Sequence, residues 1–181
     1  RHFPALERSV LTGASALVCN CEGVLRGLSW LHPLPSVTAV VHNAWSAAAP
    51  AEPGVGVALA GSLLPTKDVH TVAHAARHLG SITVYGPDAG FSDLARLSGG
   101  NLHHAGPVEP HALTAVLQRH RTLILPLGGG WFGTELTSPL KAFAYQNAGV
   151  PFVGADTPAL RRVAKGAYEP YTPGDPQSLV R

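Results

Sequence analysis

The sequence predicts an α/β fold: a doubly wound parallel sheet, Rossmann-like in its winding. Three observations carry that expectation. From residue 55 onward, short apolar stretches alternate with amphipathic ones at the spacing of βα units. Stretches such as "VALA" and "TLILPL" are apolar on both faces, as strands covered on both sides must be. Glycines punctuate the pattern where strands turn and helices end.

In chain order, "PALERSVLTG" predicts a helix ended by Gly13, "SALVCN" a short strand, "EGVLRGLSWLH" a helix and "SVTAVVHN" a β-branched strand closing at Asn43. "AWSAAAPAEPG" is rich in Ala and Pro and reads as a linker. The expected organisation is a remnant of one domain over residues 1–43, a linker over 44–54 and a second domain over 55–181. In that second domain "VGVALAG" is a strand ending at Gly61. "TKDVHTVAHAARHLG" is a helix with Val69, Val72, Ala73, Ala76 and Leu79 on one stripe and Gly80 at its end. "SITVYG" is a strand ending at Gly86, "FSDLARLS" a short helix, "NLHHAGPV" a short strand and turn, and "PHALTAVLQRH" a helix. "TLILPLGGG" is a buried strand running into Gly128, Gly129 and Gly130. "SPLKAFAYQNAG" and "TPALRRVAKG" are helices around the strand "VPFVGAD", and "AYEPYTPG" is an irregular or extended tail. Asp175 and Pro176 look like the cap and first residue of one more helix. A helix begun so near Arg181, in a chain that opens at Arg1, fits a fragment.

Composition narrows the function. The 181 residues suffice for one full domain and part of a second. The formal net charge is +2, with Lys and Arg scattered and no basic run, so nucleic acid is not an expected partner. No apolar stretch has the length of a membrane span, and no signal-peptide pattern opens the chain. The expected location is cytoplasmic, with a peripheral position on the inner face of the membrane as the alternative. Ala, Gly, Pro and Arg usage points to a GC-rich bacterial genome. Cys19 and Cys21 lie two apart without a second pair, which fits two reduced cysteines better than a zinc site or a disulfide.

Ligands of doubly wound sheets bind beyond the carboxyl ends of the strands, which directs attention to Gly61, Gly86, Gly129 and Gly130. "GVGVALAG" is not a dinucleotide fingerprint, because its first two glycines precede the strand. "GGGWFGTE" starts with phosphate-loop glycine spacing, but Thr134 and Glu135 replace the required Lys and Ser/Thr. It is either a tight turn or a loop whose N–H groups approach a ligand. His70, His74 and His78 recur every four residues, opposite the apolar stripe, and read as a solvated face rather than a metal site.

"TSPLKAFAYQNAGVP" carries more. Thr137 or Ser138 is a good N-cap, Pro139 suits the first helical position, and Gly149 with Pro151 ends the helix. Lys141 in the first turn then opposes the helix dipole, unless an anion sits in front of it.

Taken together, "VALAGSLLPTKDVHTVAHAARHL", "ITVYGPD", "NLHHAGPVEPHALTAVLQRHRTLILPL" and "TSPLKAFAYQNAGVPFVGADTPALRRV" resemble, in order and spacing, the C-terminal domain of GT-B glycosyltransferases of the retaining family-4 (glycosyl transferases group 1) type. The resemblance covers about residues 37–181, and "ASALVCNCEGVL" with "SVTAVVHNAW" resembles the end of the N-terminal domain and the crossing from it. It implies a donor-binding domain with its hinge, lacking most of the acceptor-binding domain. The implied activity is transfer of a sugar from a nucleoside-diphosphate sugar to an acceptor hydroxyl, with retention, without a metal and without a further cofactor. The donor is the implied partner, with a glycan, lipid or small-molecule acceptor bound by the absent domain, as in carbohydrate biosynthesis. The implied catalytic residues are Lys67 and Lys141, which face the diphosphate. The resemblance further implies that Gly106 and Val108 form the turn near the nucleobase and that the loop Glu135, Thr137, Ser138, Pro139, Leu140 faces sugar and phosphates. Two positions depart from the pattern: Ser62 where the family usually has Arg, and Ala144 where it has Glu. These departures keep a second expectation open, a non-catalytic or degenerate nucleotide-sugar-binding subunit. A third, a GT-B-like epimerase, has only Glu135 for the carboxylates it needs.

Overall fold

The computed structural model describes residues 4–44, 46, 49, 52–128 and 130–181. The chain begins with helix α1 (Pro4–Gly13), strand β1 (Ala16–Cys19), helix α2 (Glu22–Leu31) and strand β2 (Val37–Val40). β1 and β2 pair in parallel as a sheet of two strands, with Ala16 opposite Val37 and Cys19 opposite Val40. Val18, Val37 and Val41 stand exposed on this small sheet.

The larger unit alternates as read from the sequence. β3 (Val57–Ala60), α3 (Val69–Leu79), β4 (Ile82–Tyr85), α4 (Phe91–Leu97) and β5 (Leu102–Gly106) form its first half. A 3-10 turn (Pro110–Ala112) and α5 (Leu113–Leu117) cross to β6 (Thr122–Leu125), followed by a π-type turn over Phe132–Leu136. α6 (Leu140–Ala148), β7 (Phe152–Ala155), α7 (Pro158–Ala164), β8 (Glu169–Tyr171) and α8 (Pro176–Val180) complete the order. The six strands run in the order β5-β4-β3-β6-β7-β8, all pairs parallel. α3 packs with α4 and α8, and α6 with α5 and α7, so helices flank the sheet. This is a doubly wound, Rossmann-like parallel sheet, as the sequence predicts.

Burial follows the periodicity. Val69, Val72, Ala73 and Ala76 of α3 are buried, while His70, His74 and His78 are exposed on its other face. Ile82, Val84, Leu123, Ile124 and Leu160 are shielded from solvent, each contributing about 1.5–3 kcal/mol by leaving water. Cys19 and Cys21 are buried free thiols. Among the described residues no helix is long and apolar enough to cross a membrane.

Three elements differ from the sequence expectation. "AYEPYTPG" contributes an edge strand, β8, in register with β7. Pro170 within it is tolerated because an edge strand leaves one row of its backbone groups unpaired. α6 begins at Leu140 with Pro139 as its N-cap residue, not at a Thr137 or Ser138 cap. The Ser138 hydroxyl instead accepts a hydrogen bond from Asn43 Nδ2 at 2.9 Å, a tertiary contact that removes it from capping. The segment after the glycines is wound into the π-type turn rather than left as a plain loop.

Candidate functional site

β3 and β6 are the neighbours at which the chain's winding reverses, and their pairing is short: Val57 with Thr122, Ala58 with Leu123. Past that point the strands part. Between their carboxyl ends and the start of α6 lies a cavity of about 260 Å³. It is smaller than a drug-sized pocket of roughly 300–1,000 Å³ and has room for a compact group only.

Its walls come from three segments. Gly61 and Ser62 follow β3, Pro126 and Leu127 follow β6, and Thr137 to Lys141 lead into and open α6. After Gly61 the chain turns on a bond from the Lys67 N–H to the Leu64 carbonyl, which brings Lys67 back over its own strand. There its ammonium donates to the Ser62 carbonyl at 3.0 Å and the Ser62 hydroxyl at 3.1 Å. Lys141 reaches the same spot from α6. A Cβ on Gly61 would lie 3.3 Å from Lys67 Nζ and 3.7 Å from Lys141 Cε, so glycine leaves room for both.

The electrostatics are one-sided. Burial pushes the Lys67 ammonium below its ordinary pKa, and the charge of Lys141 pushes it further; burial does the same to Lys141. Among the described residues no carboxylate pairs with either lysine. Asp68, beside Lys67 in sequence, is turned away: it accepts from Thr71 Oγ1 at 2.7 Å, the Tyr171 hydroxyl at 3.0 Å and the Gly174 N–H at 3.1 Å. Two half-buried cations without a counter-charge among the described residues stand together at the start of a helix, an arrangement whose charge and position would favour an anion.

The other candidates lie outside this cavity. Gly86 abuts it: its N–H donates to the Gly106 carbonyl, the Gly61 N–H donates to the Tyr85 carbonyl, and a Cβ at Gly86 would run into the Gly61 carbonyl. The rim thus passes from Gly61 through Gly86 to Gly106, with half-buried Val108 beyond. Gly130 is exposed and accepts from the Thr134 N–H, and Gly129 lies outside the described residues. Glu135 is engaged elsewhere. Its carboxylate accepts from Arg26 Nη2 at 2.7 Å and from Arg162 at 3.2 Å, and Glu22, paired with His42, lies 3.7 Å from the same Arg162.

Several contributors escape sequence reasoning. α2 presents Gly23 and Gly27 to the π-type turn, whose Glu135 carbonyl and Leu136 side chain occupy the space their side chains would take. Cys21 Sγ donates to the Leu136 carbonyl at 3.4 Å, and Trp30 stacks on Trp131 with ring centroids 5.7 Å apart. Tyr145 is buried below Lys141, its hydroxyl bonded to both β3 and β6. The i, i+4 spacing of Gly23 and Gly27, and of Lys141 and Tyr145, is the signal that could have pointed to them. Among the described residues no group of three or more His, Cys, Asp or Glu side chains is placed to hold a metal ion.

The chain matches no protein-family model and no curated protein. It does match solved structures. Sucrose-phosphate synthase from Thermosynechococcus elongatus is 12% identical with a TM-score of 0.69, over 98% of this chain and 50% of that one. HepE from Anabaena, solved in complex with UDP and glucose, is 14% identical with a TM-score of 0.74, over 99% of this chain and 56% of that one. A glycosyltransferase involved in avilamycin A biosynthesis is 15% identical with a TM-score of 0.67, over 93% of this chain and 55% of that one. The chain therefore spans about half the length of these structures. At such identities the likeness is one of fold.

Proposed function

We propose that this chain is the donor-binding part of a glycosyltransferase that moves a sugar from a nucleoside-diphosphate sugar to an acceptor hydroxyl. The observation that carries the reading is the pair Lys67 and Lys141, converging without a carboxylate on the cavity between β3 and β6. When the bond from the anomeric carbon to the diphosphate breaks, its electron pair collects on the leaving oxygen. Ammonium groups already in place there lower the barrier without reorganising. With two lysines supplying the charge, the reaction runs without a metal, and we assign it retention of configuration from the family resemblance. The base and ribose extend along the rim from Gly86 towards Gly106 and Val108. The acceptor belongs to a further domain that covers the exposed valines of β1 and β2. As in HepE, whose structure holds UDP and glucose, the donor side is read as a nucleotide sugar.

A second reading, a subunit that binds nucleotide sugar without turnover, is favoured by one observation. Ser62 occupies Lys67 through two hydrogen bonds where a third cation would otherwise add charge. The test is titration with UDP, GDP, dTDP and ADP, repeated with Lys141→Ala. Saturable binding of one nucleotide, weakened at least tenfold by the substitution, supports a diphosphate site. No binding at millimolar concentration overturns both readings. Transfer upon adding an acceptor domain separates the enzyme from the binding subunit.

A further inference from the structure

We infer that Tyr145 is a positioning residue: its buried hydroxyl ties the parting ends of β3 and β6 to α6 and so fixes where Lys141 stands over the cavity. The inference rests on the diphosphate reading of that cavity.

The hydroxyl accepts from the Ala60 N–H at 2.9 Å and donates to the Ile124 carbonyl at 3.2 Å. Ala60 lies beyond the last β3–β6 register pair, Ala58 with Leu123, so its N–H has lost the strand partner it would otherwise use. The Ile124 carbonyl is in the same position on the other strand. One phenol thus replaces a missing rung of the ladder between strands that have separated to make the cavity.

Filling space does not account for it. Tyr145 has no solvent exposure, and its ring already packs edge-on against Phe152 at 5.6 Å. Phenylalanine would occupy the same volume, so the hydroxyl matters through its bonds. Burial raises the phenol far above its ordinary pKa, which keeps it a neutral donor and acceptor. Lys141 is one helical turn away on the same face. The start of α6 carries no side-chain cap, so the tie at Tyr145 anchors the turn that Lys141 occupies. The tie reaches all three walls: Ala60 at the end of β3, Ile124 just before Leu125 and Pro126, and the helix itself.

The test is Tyr145→Phe in the full chain, read in two ways. In the free protein, NMR titration of the Lys141 Cε resonance should move towards that of an ordinary exposed lysine, while Lys67, relieved only of part of the Lys141 charge, should shift in the same direction by less. An unchanged Lys141 overturns the inference. With pyrophosphate and UDP as probes, Tyr145→Phe should weaken binding about tenfold in wild-type and Lys67→Ala backgrounds, and less than twofold in Lys141→Ala. Equal losses in both lysine backgrounds would show a packing role only. If wild type binds neither probe, the diphosphate reading falls, and the free-protein titration alone decides the role of Tyr145. Should Tyr145→Phe fail to fold, exchange of the wild-type Ala60 amide is measured with and without pyrophosphate. Slower exchange with the probe supports the coupling; no change sinks it.

Discussion

Arg26 Nη2 lies 2.7 Å from Glu135 Oε2, joining α2 to the π-type turn across 109 residues of chain. Arg162 approaches the same oxygen at 3.2 Å. The π-type turn is therefore gripped between α2 and α7 immediately before it delivers Thr137 to Lys141 to the cavity.

Charge and shape contribute unequally to that grip. The pairs are partly exposed, so Arg26→Ala should cost about 0.5–1 kcal/mol in urea unfolding, and less in 1 M salt. Gly23→Ala should cost more, about 2–4 kcal/mol, because its methyl would run into the Glu135 carbonyl. If the two variants unfold at the same urea concentration, contact of the backbones is not what seats the turn.

The two cavity lysines make stability depend on pH in a predictable direction. Both have folded-state pKa values below the unfolded 10.5, so the unfolded chain binds more protons just below that value. Stability should rise as pH climbs through the folded values towards 10.5, and the penalty should be present in full below the folded values. Saturating pyrophosphate, by favouring the charged forms, should flatten that rise. The double variant Lys67→Met, Lys141→Met should melt higher than wild type at pH 7 and lose the lysine contribution to the rise. A variant less stable than wild type at pH 7 would mean the lysines already have counter-charges.

Gly86 tests the rim. Its φ of +152° and its contact with the Gly61 carbonyl both exclude a side chain. Gly86→Ala should destabilise by about 2–4 kcal/mol and displace Gly61, weakening diphosphate binding although residue 86 touches neither lysine. A variant as stable as wild type, with unchanged affinity, would show that the rim is pliable.

Much of this was legible from the sequence, for a physical reason in each case. The alternation of "VALA", "ITVY" and "LILP" with helical stretches is set by burial, and burial is encoded locally. Lys141 was legible because a cation in a first helical turn conflicts with the dipole there. What was not legible depends on partners distant in sequence. Ser138 looks like a cap until Asn43 takes its hydroxyl, and Glu135 looks free to meet a ligand until Arg26 and Arg162 take its carboxylate. β8 is three residues long with a central proline, too short to show a period. Tyr145 reads as an ordinary core aromatic, and nothing local says that two strands part beside it.

The short seam between β3 and β6 also bears on how the chain folds. Two register pairs join these strands, against four between β3 and β4. Each half can condense through connections between strands adjacent in sequence, whereas the seam must bring Val57 to Thr122 across the whole first half. The Tyr145 bonds complete that seam and need both halves in place, which favours their forming late. Tyr145→Phe should then speed unfolding more than it slows folding, so that these bonds set how long the folded chain persists; a loss read mainly in the folding rate would place the seam in the nucleus.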